Sequence, residues 1–316
     1  MLPLDDQFFD FKLPPGRPYQ VVSLGMNAVD WICRLPVYPP HNSKIQMDSM
    51  IRMGGGPAAT AAALCARYGL QVKYVGRVGD DEIGLFSLQD LKREKMDVSS
   101  VEMIPAAASQ FAVILVDRPS GERTVLWRYD PKLNYEGDLR RQWVTCGQVL
   151  HLDGEDLPSR LQAARWAKKA GMQVCLDIER PAEGVEELLR LADFPLPTEK
   201  FVCSLAGTSD CHQALRSVSE IAGGFVGATR GGRGVAVCWQ GEVIEIPSFP
   251  VRVVESTGAG DVFHGAFAYS LFQGWSLRRC LRFGNAAGAL ACTRLGARGG
   301  IPPLQEVLQM LKDHPE

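Results

Sequence analysis

The stretch Glu255–Trp275, ESTGAGDVFHGAFAYSLFQGW, places two glycines just before a carboxylate at the start of a long apolar helical pattern. A helix N-terminus presents unpaired backbone N–H groups and about half a positive charge, so it attracts an anion. If the helix begins near Ala259, the amides of Gly258, Ala259 and Gly260 converge on one anion position. Asp261 then lies beside that position in the first turn of the helix.

The position of Asp261 favours chemistry over simple anion binding. A carboxylate repels a resting phosphate, but it suits a site where a hydroxyl loses its proton while attacking phosphorus. The pattern therefore indicates a phosphoryl-transfer loop with Asp261 as the base. Taken alone, the pattern also fits an acidic residue that stabilises a helix dipole after a glycine turn.

The composition is typical of a soluble globular protein. The chain has 316 residues, of which 46% are hydrophobic, enough for one large domain or a large and a small one. The net charge of −2, without a Lys/Arg cluster, predicts neither a nucleic-acid nor a membrane partner. No signal peptide or membrane-length apolar segment is found. The 9 cysteines form no CxxC pair, which favours the reducing cytoplasm.

The order of predicted elements indicates the fold class. From Val149 onward strands and helices alternate, which predicts a mostly parallel sheet covered on both faces. Upstream, PAATAAALCARYG predicts a helix that starts at Pro57 and stops by Gly69. Three β-rich runs predict a separate small sheet: residues 44–53, 109–116 and 123–128. GVAVCWQGEVIEIPSF predicts a late antiparallel hairpin, followed by helices at 259–272, 276–293 and 304–312.

Several of these motifs together resemble one known family. STGAGDVFHGAF closely resembles the second signature of the PfkB, or ribokinase-like, carbohydrate kinases, and GGGPAATAAALCARYGLQVKYVGRVGDDEIG resembles the first. NAVD, TRGGRGV and FGNAAGALACTRLGARGGIP match further family segments, so the resemblance runs from Val21 to the C-terminus. It implies a ribokinase-like three-layer α/β/α fold with a mostly parallel central sheet and a small β-sheet lid. The expected kinase domain spans 18–316, with lid segments near 33–53 and 106–130 and an N-terminal extension at 1–17.

The resemblance also implies residue roles. Asp261 becomes the catalytic base, and the amides of Gly258, Ala259 and Gly260 form the anion hole, in agreement with the physical argument. The implied sugar contacts are Asp30, Asn27, Gly55, Gly56 and Thr60, although the family often has asparagine where Thr60 stands. Lys44 and Arg128, in the lid segments, are candidates to reach an anionic group on the substrate; otherwise they are solvated surface charges. His264, one turn after Asp261, is expected to pack or to orient rather than to react.

The nucleotide and metal sites are implied in the same way. The implied ATP-groove residues are Thr229, Gly231, Gly232, Gly234, Asn285 and Gly288. Where the family carries N-x-x-E, this chain has PTEKFV, with Thr198 for the asparagine and Phe201 for the glutamate. Glu199 is left as a substitute that contacts Mg²⁺ through water, and Mg²⁺ dependence is expected because ATP itself supplies oxygen ligands. Glu255 and Thr257 lie where some relatives bind a monovalent cation, but those relatives usually have Asp at position 255, which leaves K⁺ open.

The substrate stays open at this level. A fructose-like ketose, a sulfosugar, a sugar acid and a nucleoside are all compatible with the motifs. A sugar-binding protein that senses a nucleotide without turnover is a further alternative. GGGPAA also fits G-x-G-x-x-A, which keeps a nicotinamide-dependent oxidoreductase among the alternatives. A homodimer is expected, because ribokinase-like enzymes commonly pair through the β-lid.

Overall fold

A computed structural model describes residues 11–315. Most of the predicted N-terminal extension, residues 1–10, lies outside the described residues. The strands are β1 (Tyr19–Leu24), β2 (Ala28–Leu35), β3 (Ser49–Gly55), β4 (Val72–Gly79), β5 (Asp97–Ile104), β6 (Phe111–Asp117), β7 (Arg123–Arg128), β8 (Gly147–Leu152), β9 (Gln173–Leu176), β10 (Phe194–Pro195), β11 (Val226–Thr229), β12 (Val235–Trp239) and β13 (Glu242–Ile246). The helices are α1 (Pro57–Arg67), α2 (Glu82–Arg93), α3 (Arg141–Val144), α4 (Leu157–Lys169), α5 (Val185–Leu191), α6 (Glu199–Ala206), α7 (Cys211–Ala222), α8 (Ala259–Ser270), α9 (Leu277–Ala291), α10 (Ala297–Gly300) and α11 (Leu304–Asp313).

The central sheet has six parallel strands in the order β10-β9-β8-β1-β4-β5. Alternate residues of β1 face opposite sides of the sheet. Val21 joins the core formed with α1, α8 and α9, whereas Val22 and Leu24 join the core formed with α4, α5 and α7. The predicted three-layer α/β/α arrangement is therefore confirmed. Among the described residues no helix is both long enough and apolar enough to cross a membrane.

A second, antiparallel sheet of β11, β12 and β13 continues one edge of the central sheet. The link is a parallel bridge between Thr198 and Thr229, where the Thr229 amide donates to the carbonyl of Pro197 at 2.9 Å. Strands β12 and β13 form the hairpin that the sequence predicts. The residues just after β10 therefore join the parallel sheet to the second sheet.

A third sheet, here called the lid, has the strand order β3-β2-β6-β7. It contains β2, which the sequence analysis did not assign to it, while residues 36–48 form no strand. Proline lacks the N–H that a ladder needs, and Pro36, Pro39 and Pro40 open this segment. Across three strands, Asp30 pairs with Ala112, and Ala112 pairs with Trp127. These three residues share one face, here called the inner face of the lid.

Helix α8 packs closely against α1 because both helices have small residues at the contact. A Cβ on Gly265 of α8 would lie 2.7 Å from the carbonyl oxygen of Ala61 and 2.9 Å from its Cα. Both atoms belong to the backbone of α1, so neither moves without shifting that helix. The position of α8, and of the residues at its start, depends on this contact.

Gly265→Ala should therefore destabilise the protein. The added methyl group forces α1 and α8 apart, and overpacking of this kind costs about 1–3 kcal/mol. Urea denaturation should show this loss, whereas Gly232→Ala, at an exposed position with no atom within 4 Å of a Cβ, should change the free energy of unfolding by less than about 0.5 kcal/mol. Equal stabilities for the two variants would contradict the tight contact.

Candidate active site

A cavity of about 700 Å³ lies between the central sheet and the inner face of the lid. Its floor comes from the residues that follow β8 and β9 and from the start of α8, and its roof comes from β2, β6 and β7. The carboxyl ends of parallel strands meet at one edge of a sheet, which is where α/β proteins bind ligands. The fold thus brings distant segments of the chain to one cavity.

The start of α8 has free backbone amides; Gly258 lines this cavity, whereas Gly260 is exposed outside its lining. Gly258 has φ +76°, and a Cβ there would lie 2.5 Å from Cα of Ala297, so only glycine fits. The Ala259 amide already donates to the carbonyl of Ser256 at 3.3 Å. Among residues 11–315, no acceptor is found for the amides of Gly258 and Gly260. These two amides are therefore available to an anion.

Asp261 lines the cavity and is partly exposed there. Burial raises the pKa of its carboxyl group to about 8, and the neighbouring Asp177 and Glu179 contribute to the increase. Asp30 adds a smaller increase to the same pKa, and His264 opposes it. A carboxyl group with this pKa holds its proton at neutral pH until a positive charge comes near it.

His264 fixes the first turn of α8 to the edge of the sheet. Its Nδ1 lies 2.8 Å from the carbonyl oxygen of Gly260, and its Nε2 lies 2.9 Å from that of Leu196, just after β10. Nδ1 is also 3.2 Å from Oδ2 of Asp177. Burial is the main cause of the lowered pKa of His264. The residue is not part of the cavity lining, in line with the expectation that it packs or orients.

Asp30 approaches the cavity from the lid side. It is only 5% exposed, and no hydrogen bond to its carboxylate is found among the described residues. Burial raises its pKa to about 6, although Arg298 opposes this increase. A Cβ at Gly55 would overlap the Asp30 carboxylate, so this glycine makes room for it. Gly56, with φ +88°, lines the same cavity at the start of α1.

Four further carboxylates line the cavity, and the sequence analysis did not identify them. Asp153 and Glu155 follow β8, and Asp177 and Glu179 follow β9. Asp153 is held by Arg160 at 3.0 Å, whereas burial raises the pKa of Asp177 well above its usual range. The signal for them was the pair of acidic segments that directly follow predicted parallel strands, HLDGED and CLDIE.

Comparison with known proteins agrees with this geometry. A profile described as pfkB family carbohydrate kinase matches residues 20–303. The chain belongs to the PfkB family. This kinase is 28% identical over 298 residues to ribokinase of Haemophilus influenzae, covering 92% of this chain and 97% of the relative. It is 24% identical over 335 residues to 5-dehydro-2-deoxygluconokinase of Clostridium perfringens, covering 95% of each.

A solved structure shows the same fold. Arabidopsis thaliana ribokinase complexed with ribose and ATP aligns with a TM-score of 0.77 and 26% identity, over 93% of this chain and 99% of that one. The expected ribokinase-like fold is thereby confirmed, and the protein is a phosphotransferase of the carbohydrate kinase family. The nicotinamide alternative is wrong, because Gly54–Gly56 lie at the end of β3 in the lid rather than after a strand of the parallel sheet.

Only some of the predicted site residues of this PfkB-family kinase reach the cavity. Those that line it are Asp30, Gly56, Arg128, Thr257, Gly258 and Asp261. Asn27 is instead hydrogen-bonded to Arg298 and Ser87 inside the protein. Thr60 is fully buried in α1, which corrects its expected sugar contact. Lys44 is exposed on the segment between β2 and β3 and does not line the cavity.

The predicted ATP residues lie together, away from the cavity lining. Thr229 ends β11, and Gly231 and Gly232 follow it, exposed and with no atom within 4 Å of an added Cβ. Two others serve packing: a Cβ on Gly234 would overlap the carbonyl of Ile246, and one on Gly288 would lie 3.0 Å from that of Ala259. The Asn285 side chain donates to the carbonyls of Ile246 at 2.9 Å and Pro247 at 3.1 Å.

The structure corrects the expectation for Glu199 as a metal-orienting residue. Its carboxylate is paired with Arg233 and lies 3.5 Å from Arg230, outside the cavity lining. Glu255 is 1% exposed and accepts hydrogen bonds from the amides of Thr257, at 3.0 Å, and Gly296. Residues 11–315 hold no group of three or more His, Cys, Asp or Glu side chains suited to a metal ion.

The raised pKa of Asp261 predicts a pH-dependent stability difference. The folded protein binds a proton at Asp261 that the unfolded chain releases above about pH 4, so this carboxyl lowers stability increasingly as pH rises to about 8. The Tm of Asp261→Asn minus that of the wild type should therefore grow from about pH 4 to about pH 8 and then level off. Thermal unfolding across this range, with the exposed Glu220→Gln as control, measures it. A difference independent of pH would contradict the raised pKa.

Proposed function

We propose that this protein is an ATP-dependent kinase that transfers the γ-phosphoryl group of ATP to a hydroxyl of a small carbohydrate. The supporting observation is that the carboxylates of Asp261 and Asp30 line one cavity together with the start of α8. The acceptor hydroxyl gives its proton to Asp261 while its oxygen bonds to the γ-phosphorus. The bond between that phosphorus and the bridging oxygen breaks, and ADP leaves.

Each part of the cavity has a role in this reaction. Asp30 accepts a hydrogen bond from a sugar hydroxyl and positions the acceptor. The amides of Gly258 and Gly260 stabilise the charge on the transferred group, with the dipole of α8 behind them. Mg²⁺ held by the phosphates would offset their charge and would favour the ionised form of carboxyl groups close to it. The lid excludes water, so that ATP is not hydrolysed.

For the substrate, we propose a fructose-like ketose, a sulfosugar or a sugar acid. Arg128 lines the cavity, and no salt bridge of its side chain is found in the described part of the chain. Such a cation suits a carboxylate or sulfonate on the sugar. A nucleoside is the second candidate, because Ile114 and Trp127 give the roof an apolar surface that fits a base. Ribose belongs in the test set, because ribokinases are among the relatives.

The nucleotide is proposed to lie along the loop Thr229–Gly234, where Gly231 and Gly232 leave the backbone open. K⁺ is not part of the proposed mechanism, because Glu255 is already held by two backbone amides. A cytoplasmic location is proposed from the nine cysteines, all of which are free.

Asp261→Asn should abolish turnover while leaving ATP binding nearly unchanged, because the amide cannot accept the proton. Loss of a general base costs about 10²- to 10⁴-fold in kcat. ADP release with ATP·Mg²⁺ should be measured against ketoses, aldoses, sugar acids, sulfosugars and nucleosides, and ATP binding by calorimetry. Glu220→Gln, on the exposed face of α7, is the control. Undiminished turnover in Asp261→Asn would contradict the assigned base.

We also propose that the protein is a homodimer that pairs through the outer face of the lid. Met50 on β3 and Leu126 on β7 are 58% and 55% exposed. By the strand register both lie on the face opposite Asp30. Two large apolar side chains on one exposed sheet face favour contact with a second copy.

The double variant Met50→Glu/Leu126→Glu should be a folded monomer, because burying two carboxylates in an apolar interface is unfavourable. Sedimentation velocity should show a dimer for the wild type and a species of half that mass for the variant. The matched control is Val253→Glu, at an exposed position outside the lid. This variant should sediment with the same mass as the wild type. A monomeric wild type would exclude the dimer.

A further inference from the structure

Gln110 lies in the cavity wall just before β6. Its backbone carbonyl accepts a hydrogen bond from the amide of Val29 at 3.1 Å, which fixes it beside β2. Side chains alternate between the two faces along a strand, so Gln110 lies on the same face as Ala112 and Ile114. That face is the inner face of the lid. The catalytic scheme above does not use this residue.

The side chain of Gln110 is buried without a partner. It is 7% exposed, its Oε1 is shielded and unbonded, and no hydrogen bond of the side-chain amide is found in residues 11–315. A buried amide without a partner lowers the stability of the folded state. An apolar side chain of the same size would be the more stable choice here, so the amide needs another explanation.

Asp30 supplies the complementary observation. It is the second polar side chain of this wall that is more than nine-tenths buried and lacks a hydrogen bond in the described residues. A carboxylate only accepts hydrogen bonds, whereas a glutamine amide also donates them. A sugar hydroxyl does both, so one hydroxyl can donate to Asp30 while a neighbouring hydroxyl bonds the side-chain amide of Gln110 at its oxygen or its nitrogen.

We infer that Gln110 is a substrate-binding residue that hydrogen-bonds a hydroxyl adjacent to the one held by Asp30, so that the enzyme selects sugars with two neighbouring hydroxyl groups. This rests on the proposed sugar kinase function and adds a contact that the sequence motifs did not indicate. A site built to bind a hydroxyl discriminates strongly against the deoxy analogue, because its own polar group is then left unpaired.

The test is the near-isosteric variant Gln110→Met. Without ligand its Tm should equal or exceed that of the wild type, because the unpaired amide is gone. Its kcat/KM should fall about 5- to 30-fold for the parent sugar through KM, with kcat nearly unchanged. The probes are D-ribose with 2-deoxy-D-ribose, and D-fructose with its 3-deoxy and 4-deoxy analogues. For the analogue that lacks the contacted hydroxyl, wild type and variant should have the same kcat/KM.

Gln148→Met is the matched control. This glutamine lies outside the cavity lining, and its side chain donates to the carbonyl of Pro14 at 2.9 Å. Its replacement should lower the Tm and leave the kinetic constants unchanged, the reverse of the pattern expected at position 110. If Gln110→Met lowers the Tm as Gln148→Met does, Gln110 has a structural role and the inference is wrong.

Sugar-induced stabilisation separates this inference from the proposed function. D-ribose and D-fructose are added without nucleotide, and the rise in Tm is compared between wild type and Gln110→Met. A smaller rise in Tm for the variant supports the contact even if no sugar is phosphorylated. The absence of phosphorylation would overturn only the kinase proposal. Equal shifts in both proteins, including no shift in either, would overturn the role of Gln110.

Discussion

The close approach of Gly258 to Ala297 sets the position of α8, and the cavity depends on it. A side chain at position 258 would overlap the backbone of α10, so the chain can turn into α8 there only with glycine. Gly265 lets the same helix lie on the backbone of α1, and His264 joins its first turn to the carbonyl of Leu196. These contacts hold a helix N-terminus at the carboxyl ends of parallel strands, where a phosphate is attracted. Asp261 follows within the first turn and faces the same cavity.

The cavity is acidic, although the γ-phosphate proposed to reach it is an anion. Six carboxylates line it: Asp30, Asp153, Glu155, Asp177, Glu179 and Asp261. Burial raises the pKa of Asp30, Asp177 and Asp261, so protons offset part of the charge in the ligand-free protein. In the proposed reaction, the Mg²⁺ that accompanies the nucleotide would favour the ionised form of the carboxyl groups closest to it. That would link the state in which Asp261 accepts a proton to the presence of the second substrate.

Local patterns in the sequence predicted much of the fold and the centre of the site. Pro57 and Gly69 bounded α1 and the glycines before Asp261 marked α8, because glycine and proline act through the backbone itself. The assignment of β2 to the lid was missed, since a strand's sheet depends on partners far along the chain. Asp177 and Gln110 were missed for a related reason: only the folded sheets place them at the cavity. Glu199 was named as a substitute for the missing glutamate of N-x-x-E, but Arg233 binds its carboxylate.

The most direct test of the proposed reaction is a crystal structure of the protein with its sugar substrate and a non-hydrolysable ATP analogue bound together. We expect a carboxylate oxygen of Asp261 within about 3.2 Å of the acceptor hydroxyl, with the γ-phosphorus in line beyond it. The amides of Gly258 and Gly260 should then point to the γ-phosphate oxygens. A sugar bound elsewhere, or an Asp261 side chain turned away from the acceptor hydroxyl in that complex, would contradict the account.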